Sequence, residues 1–371
     1  MPARLLIPST ALLWGLQFAF LNPALALLLT TLFDASTAEV GWSLALYNAS
    51  ALVATTVIPA RADRTGQYLK PMLVSATLTI LLSALLAITT SLPLAVAALI
   101  VLGGPAGVGS TLLFAHLRDA GATQGQIINT RALFSVAWVA GPPIATFIIG
   151  TLGEHAVLAA IALIAALSIG ATALLQARSS GAPPEEESAG TPGPEEPAVR
   201  GRTGVGVVVA AFVLLQAANA SATSFMTVYV VQSLGLDVMW AGVALGVAAG
   251  LEIPALLIMA RLSNRFSAQA LLVSSCLIGV VYYAALFTVQ SPAALIGIQV
   301  LNAWSFAAIA GTGLTLFQQI IARPGLATSL YMNARRIGAL LTPPGATCRQ
   351  FPSRPSRPCP RRDQRGPSAT W

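Results

Sequence analysis

Gly246-Val-Ala-Ala-Gly250-Leu-Glu252-Ile-Pro254-Ala-Leu-Leu257 lies in a run with no other charge between Asp237 and Arg261. An apolar run of this length is a membrane helix, because the strands of a membrane barrel are about 9 to 11 residues of alternating character. Glu252 stands near its middle. An ionised side chain at that depth costs roughly 2.5 to 3.5 kcal/mol on the insertion scales for Asp, Lys and Arg, so it needs water or a partner, and it is the first functional candidate. The run also has a copy. Gly41 to Arg64 reads against Gly242 to Arg265, with Asp63-Arg64 opposite Asn264-Arg265 and Ala51 near the place of Glu252; Asn129-Thr130-Arg131 reads against Asn333-Ala334-Arg335 at a similar offset. The spacing therefore predicts a duplicated bundle of membrane helices.

Composition agrees. Of 371 residues, 56% are hydrophobic and 9% charged, and the mean hydropathy is +0.76, against a charged share of about 25% in soluble domains. The net charge of +7 suggests nucleic acid at first sight. However, six arginines and one aspartate fall in residues 342 to 371, which leaves 14 basic against 12 acidic residues elsewhere, or +2. There is no basic groove for nucleic acid. The cysteines are Cys276, Cys348 and Cys359 and the histidines His116 and His155, which supports neither a metal cluster nor a disulfide framework.

Apolar windows of about 20 residues predict spans over 7–33, 40–60, 71–90, 93–115, 130–151, 156–177, 204–233, 239–260, 268–289 and 293–321. An eleventh begins near Gly325, but only a short apolar stretch follows Arg335-Arg336 before Thr342-Pro343-Pro344. The N-terminus resembles a signal peptide with a small-x-small pattern at Ala24-Leu25-Ala26, yet its apolar run continues to Phe33, so we read it as an uncleaved first span. Arg4, Arg61, Arg64, Lys70, Arg118, Arg131, Arg178, Arg200, Arg202, Arg261, Arg265 and Arg323 fall at alternate connections or their edges, whereas Asp34, Glu39, Glu154, His155 and Asp237 mark the others. By the positive-inside rule the basic side and the N-terminus are cytoplasmic.

Residues 178–203 are rich in Pro, Gly, Ser and Glu and too poor in apolar side chains to pack, which predicts a disordered cytoplasmic linker. The expected organisation is a six-helix half over 1–177, the linker, a second half of four to five helices over 204–341, and an Arg- and Pro-rich tail over 342–371. We read that tail as the mark of a frameshift or misplaced gene end after Leu341. The fold class is an all-α membrane protein of about 10 to 11 spans, with the second half incomplete.

Two halves joined by a central linker resemble the transporters of the major facilitator superfamily. Ala60-Arg61-Ala62-Asp63-Arg64-Thr65-Gly66, followed by Lys70, resembles the superfamily's loop motif Gly-x-x-x-Asp-Arg-x-Gly-Arg-Arg/Lys, although the first glycine and one basic position are missing. The resemblance implies a gating loop in which Asp63 and Arg64 latch helix ends. The alternative is a solvated turn. Arg131-Ala-Leu-Phe-Ser135-Val-Ala-Trp138-Val-Ala-Gly141-Pro142-Pro143 resembles its fifth-helix motif, in which a small residue and a proline shape helix packing. Arg131 is either a functional residue or an anchor that snorkels to water.

Phe114-Ala-His116-Leu-Arg118, Arg131 to Pro143, Ala241 to Pro254 and Gln299 to Gln319 together resemble the bacterial sugar efflux transporters of that superfamily. This implies export of small sugars or glycosides by proton antiport across the bacterial inner membrane, by a monomer and without a cofactor. In such a fold helices one, four, seven and ten line the cavity. Gln17 and Asn22, Gln216 and Asn219, and Gln299 and Asn302 fall there. Amides offer donors and acceptors together, which suits a small neutral sugar or glycoside, and Trp14, Trp138 and Trp304 offer stacking faces. Each amide also has a plain use in an interhelical hydrogen bond, worth about 0.6 kcal/mol.

Gly103 to Gly109, and Gly311-Thr-Gly313, lack the Gly-x-x-x-x-Gly-Lys-Ser/Thr pattern of a phosphate loop, and no Ser-His-Asp set or paired carboxylates mark an enzyme. Energy then comes from an ion gradient, with Glu252 as proton-coupling or substrate-binding group. Two other readings stay open: an exporter of drugs or other small molecules on the same fold, and a non-transporting sensor or inactive remnant.

Overall fold

The computed structural model describes residues 3–181, 202–237 and 239–340, and every regular element among them is a helix. We number them α1 (Ala3–Phe33), α2 (Thr37–Thr65), α3 (Leu69–Ile88), α4 (Leu92–Asp119), α5 (Gln124–Leu152) and α6 (Glu154–Gly181) in the first half. The second half holds α7 (Arg202–Val228), α8 (Met239–Leu262), α9 (Ala268–Leu286), α10 (Pro292–Ile320) and α11 (Pro324–Leu340). Nine of these are long and apolar enough to cross a membrane. α1 makes a tenth, bent by 41° between Leu6–Leu21 and Ala24–Phe33. The bend falls at Asn22-Pro23, where the proline has no N–H for the helical ladder. The protein is therefore a multi-pass membrane protein.

The chain writes its own helix limits. Ser36 and Thr123 cap α2 and α5 through reciprocal bonds with Glu39 and Gln126, three residues on. Gly66, at φ +64°, ends α2 in the left-handed conformation that glycine adopts without steric cost. α2 consequently runs five residues past its expected end, and Asp63 and Arg64 lie in its last turn, not in a loop. α4 is interrupted by a π turn over Leu99–Gly103 and resumes at Gly109. The carbonyls it frees are met from neighbouring helices: Ser50 donates to Ile100 O and Ser75 to Ala106 O. Inside a bilayer no water is at hand to do this. α5 approaches α1 closely at Gly141, where a Cβ would stand 2.5 Å from Ala19 Cβ.

The duplication is visible in the packing. α1 packs on α5 as α7 does on α11, α2 on α4 as α8 on α10, and α3 on α4 as α9 on α10. Across the halves, α5 meets α8 and α10, while α11 meets α2 and α4, the same pairs exchanged. α6 lies against α1 and α3. The corresponding face between α7 and α9 is an open apolar groove, lined by Val208, Ala211, Leu215, Val273, Leu277 and Val280 among others. The ends of the expected linker, 178–181 and 202–203, belong to α6 and α7, and its remainder lies outside the described residues, as does the tail 342–371.

α11 is the element that the sequence understates. Its apolar portion is short, yet it forms 17 helical residues because protein covers its polar ones: it packs against α2, α4, α7 and α10.

Candidate functional site

α5 presents Arg131, Phe134, Ser135 and Trp138 at i, i+3, i+4 and i+7, one face of a helix. That face is turned to the second half. Ser135 Oγ donates to Glu252 Oε1 at 2.7 Å, joining α5 to α8 across the interface between the halves. Glu252 is 9% exposed and Arg131 5%, so neither reaches open water. Arg131 accordingly does not snorkel; its guanidinium stays 6.0 Å above the Phe134 ring. From α11, Arg335 extends to the same place, 5.8 Å from the Trp138 ring and 5.9 Å from that of Phe306 in α10. Tyr331, one turn before it, donates to Ala310 O at 2.9 Å and lies within electrostatic reach of Arg131, Arg335 and Glu252.

The partner that Glu252 required is thus a hydroxyl, with Arg335 acting on it through space. Arg336 takes another course and donates to Thr55 Oγ1 in α2 at 3.2 Å. Thr55 Oγ1 lies 2.9 Å from Asn333 Oδ1, and Asn333 Nδ2 donates to Thr56 Oγ1 at 2.9 Å. Near the ends of these helices, Gln318 Nε2 of α10 donates to Phe114 O of α4 at 3.0 Å.

Asp63 makes the other charged contact. Pro324 opens α11, so the N–H groups of Gly325 and Leu326 have no helical acceptor, and Asp63 accepts both, at 2.6 and 2.9 Å. A carboxylate at a helix N-terminus is favoured by the helix dipole as well. Tyr68 adds a third bond to Asp63, at 2.8 Å. Burial first, and then the Asp63 carboxylate, push the Tyr68 phenol up from its usual range, so it remains a donor at neutral pH. Asp63 therefore ties the end of α2 to the start of α11 and is not part of a solvated turn. Arg64 is exposed.

The amides are placed differently from one another. Gln17 Nε2 donates to Thr79 Oγ1 at 2.7 Å while its Oε1 is buried with no partner. Gln299 is fully buried, donates to Leu295 O, and accepts from Asn302 Nδ2 at 3.0 Å. Gln216 is buried beneath Gly338 of α11. Asn219 and Asn302 line a cavity of about 170 Å³ between α7, α9 and α10, together with Tyr282, Tyr283, Ser305 and Cys276. The side chain of Asn22 lies outside the described residues. Trp14 is buried, with Nε1 3.4 Å from Thr172 Oγ1, and Trp304 Nε1 is buried with no partner. Among the described residues none of these amides is bonded to Glu252. Ser135 and Tyr331 complete the central group, and the Asn-x-Arg repeat at Asn129 and Asn333, read from sequence only as a mark of duplication, also marks its two arginines.

Comparison with known proteins bears on the whole chain. Sugar efflux transporter B of Salmonella typhimurium is 26% identical over 337 residues, which cover 89% of this chain and 84% of that protein. Sugar efflux transporter A of Escherichia coli is 30% identical over 213 residues, 57% of this chain and 53% of its own length. A solved structure of a bacterial homologue of the iron transporter ferroportin, in an outward-facing state, aligns over 91% of this chain and 90% of that one, with a TM-score of 0.66 at 16% identity. The family profile of the Major Facilitator Superfamily matches residues 9–343, through both halves and α11. With two like helical halves meeting face to face, that match identifies the chain as a member of the Major Facilitator Superfamily, a family of membrane transporters and not of enzymes.

Proposed function

We propose that the protein exports small sugars or glycosides by alternating access, in exchange for protons, with Glu252 as the coupling group. One observation carries this reading: the Ser135–Glu252 bond joins the halves through a carboxylate far from either end of its helix. A carboxylate there is costly unless it is used. A proton on Glu252 removes the charge that the interface is built around, and it thereby weakens the hold of α8 on α5. The relatives named as sugar efflux transporters supply the cargo class. Arg61, Arg64, Lys70, Arg118, Arg261, Arg265 and Arg323 cluster at one end, which we assign to the cytoplasm of a bacterial inner membrane. The transporting unit is the monomer.

Everted vesicles test the reading directly. Labelled glycoside should accumulate only while a proton gradient is held, and Glu252→Gln should abolish that dependence while leaving passive exchange. The variant keeps an acceptor for Ser135 and removes the titratable group. Gradient-driven uptake that survives Glu252→Gln intact would sink the assignment.

A further inference from the structure

We propose that Arg131 and Arg335 form a two-armed clamp for an oxyanion, a carboxylate or phosphate group, on the transported sugar. The proposal rests on the transport reading and narrows it: the cargo is acidic. Its first ground is charge. Two guanidiniums and one carboxylate meet at this interface, Arg131 and Glu252 buried and Arg335 half-buried, which leaves one positive charge without a counterpart. A lone charge of this kind is expensive away from water, and an anion removes the expense.

Hydrogen bonding is the second ground. Arg131 is 5% exposed and its Nε is buried with no partner, and neither Arg131 nor Arg335 makes a hydrogen bond among the described residues. Glu252, the acceptor nearest in charge, takes its bond from Ser135 instead. A guanidinium carries five donors in a fixed fork, so these two present donors that no described protein group is seen to use. They are held all the same. The rings of Phe134, Trp138 and Phe306 lie 5.8 to 6.0 Å from the guanidinium carbons, a contact that fixes the fork and consumes none of its donors. A pre-set fork of this type suits bidentate recognition of a carboxylate or phosphate.

The third ground is the duplication. Arg131 in Asn129-Thr-Arg131 and Arg335 in Asn333-Ala-Arg335 are copies of one another, on helices whose partners across the halves are also exchanged. One arm thus comes from each half to the surface where they meet. Neutral cargo was expected from the amides, yet Gln299 and Asn302 bond to each other and Gln17 bonds to Thr79, outside this group.

Binding to the purified full chain in nanodiscs, measured by calorimetry with glucuronate, glucose and inorganic phosphate as probes, decides the matter. Glucuronate should bind at least tenfold more tightly than glucose. Arg131→Gln and Arg335→Gln should each weaken glucuronate by about tenfold to a hundredfold and leave glucose unchanged. Should either variant misfold, a rise in the wild-type melting temperature with glucuronate and none with glucose makes the same distinction. Equal affinity for the two sugars, or glucuronate binding untouched by both substitutions, overturns the clamp. Phosphate that binds as tightly as glucuronate and displaces it marks a site for free anions and overturns the cargo claim. Vesicles that move glucose under a proton gradient while glucuronate fails to compete leave transport standing and the clamp fallen. Glucuronate bound without any sugar crossing the bilayer does the reverse.

Discussion

At the scale of single residues, Ser135 and Glu252 set the terms. A hydrogen bond to an ionised carboxylate is worth roughly 1.5 to 3 kcal/mol, and this one spans two bodies that must part during a transport cycle. Ser135→Ala should therefore slow gradient-driven export about tenfold in everted vesicles. Ser135→Thr, which keeps the hydroxyl, should retain most of it. Equal rates for Ser135 and its alanine variant would show that the bond takes no part in the cycle. Glu252 was legible from sequence because a carboxylate in an apolar run has no bland explanation. Its partner was not, because a serine in a membrane helix has many uses and only the fold brings Ser135 opposite position 252. Arg131 stays open in the sequence between a functional residue and a snorkelling anchor for a related reason. It stands two turns from a helix end, yet it is buried where α5 packs against α8 and α10.

Helix ends and helix contacts belong to the next scale. Ser36-x-x-Glu39 and Thr123-x-x-Gln126 form capping boxes from residues close in sequence, a signal that a reading by apolar windows passes over. The π turn in α4 has no such local signature, since it depends on Ser50 and Ser75 arriving from α2 and α3. The latch between α2 and α11 combines a local and a distant cause. Pro324 leaves two N–H groups free at the start of α11, and Asp63, far off in sequence, accepts them. Gly325 is fixed by the same contact, because a Cβ there would stand 2.6 Å from Pro59 O and from Asp63 Oδ1. Asp63→Asn keeps one acceptor but loses the charge at the helix N-terminus. A charge in that position contributes about 0.3 to 1 kcal/mol, so the purified variant should melt about 1 to 2 °C lower by intrinsic fluorescence. A fall of 10 °C would mean that Asp63 supports the fold itself, and no change would mean that the latch is idle.

Over the whole molecule, the hydrogen bonds that join the halves among the described residues share one direction. Those of Asp63, Thr55, Thr56, Phe114 and Ser135 all lie in the parts of their helices nearer the basic connections. α1 and α7, by contrast, pack within their own halves. These bonds tie the halves together at the basic end, and under the proposed alternating access they must part there once in each cycle. Gly125 of α5 offers the means to check this, because it abuts the far end of α8. A Cβ at Gly125 lies 3.7 Å from Ser263 Oγ and 3.1 Å from Ala260 O. Ser263 Oγ marks the place that a cysteine sulfur would take there, 3.7 Å from a Cβ at position 125, so the double cysteine variant brings the two side chains near enough to test for a disulfide. With Cys276, Cys348 and Cys359 replaced by serine, oxidation of Gly125→Cys/Ser263→Cys should cross-link the halves and reduce gradient-driven uptake to background. Reduction should then restore it. A quantitative cross-link that leaves uptake running would show that this end need not open, and rocking of the two halves about Ser135 and Glu252 would have to be given up.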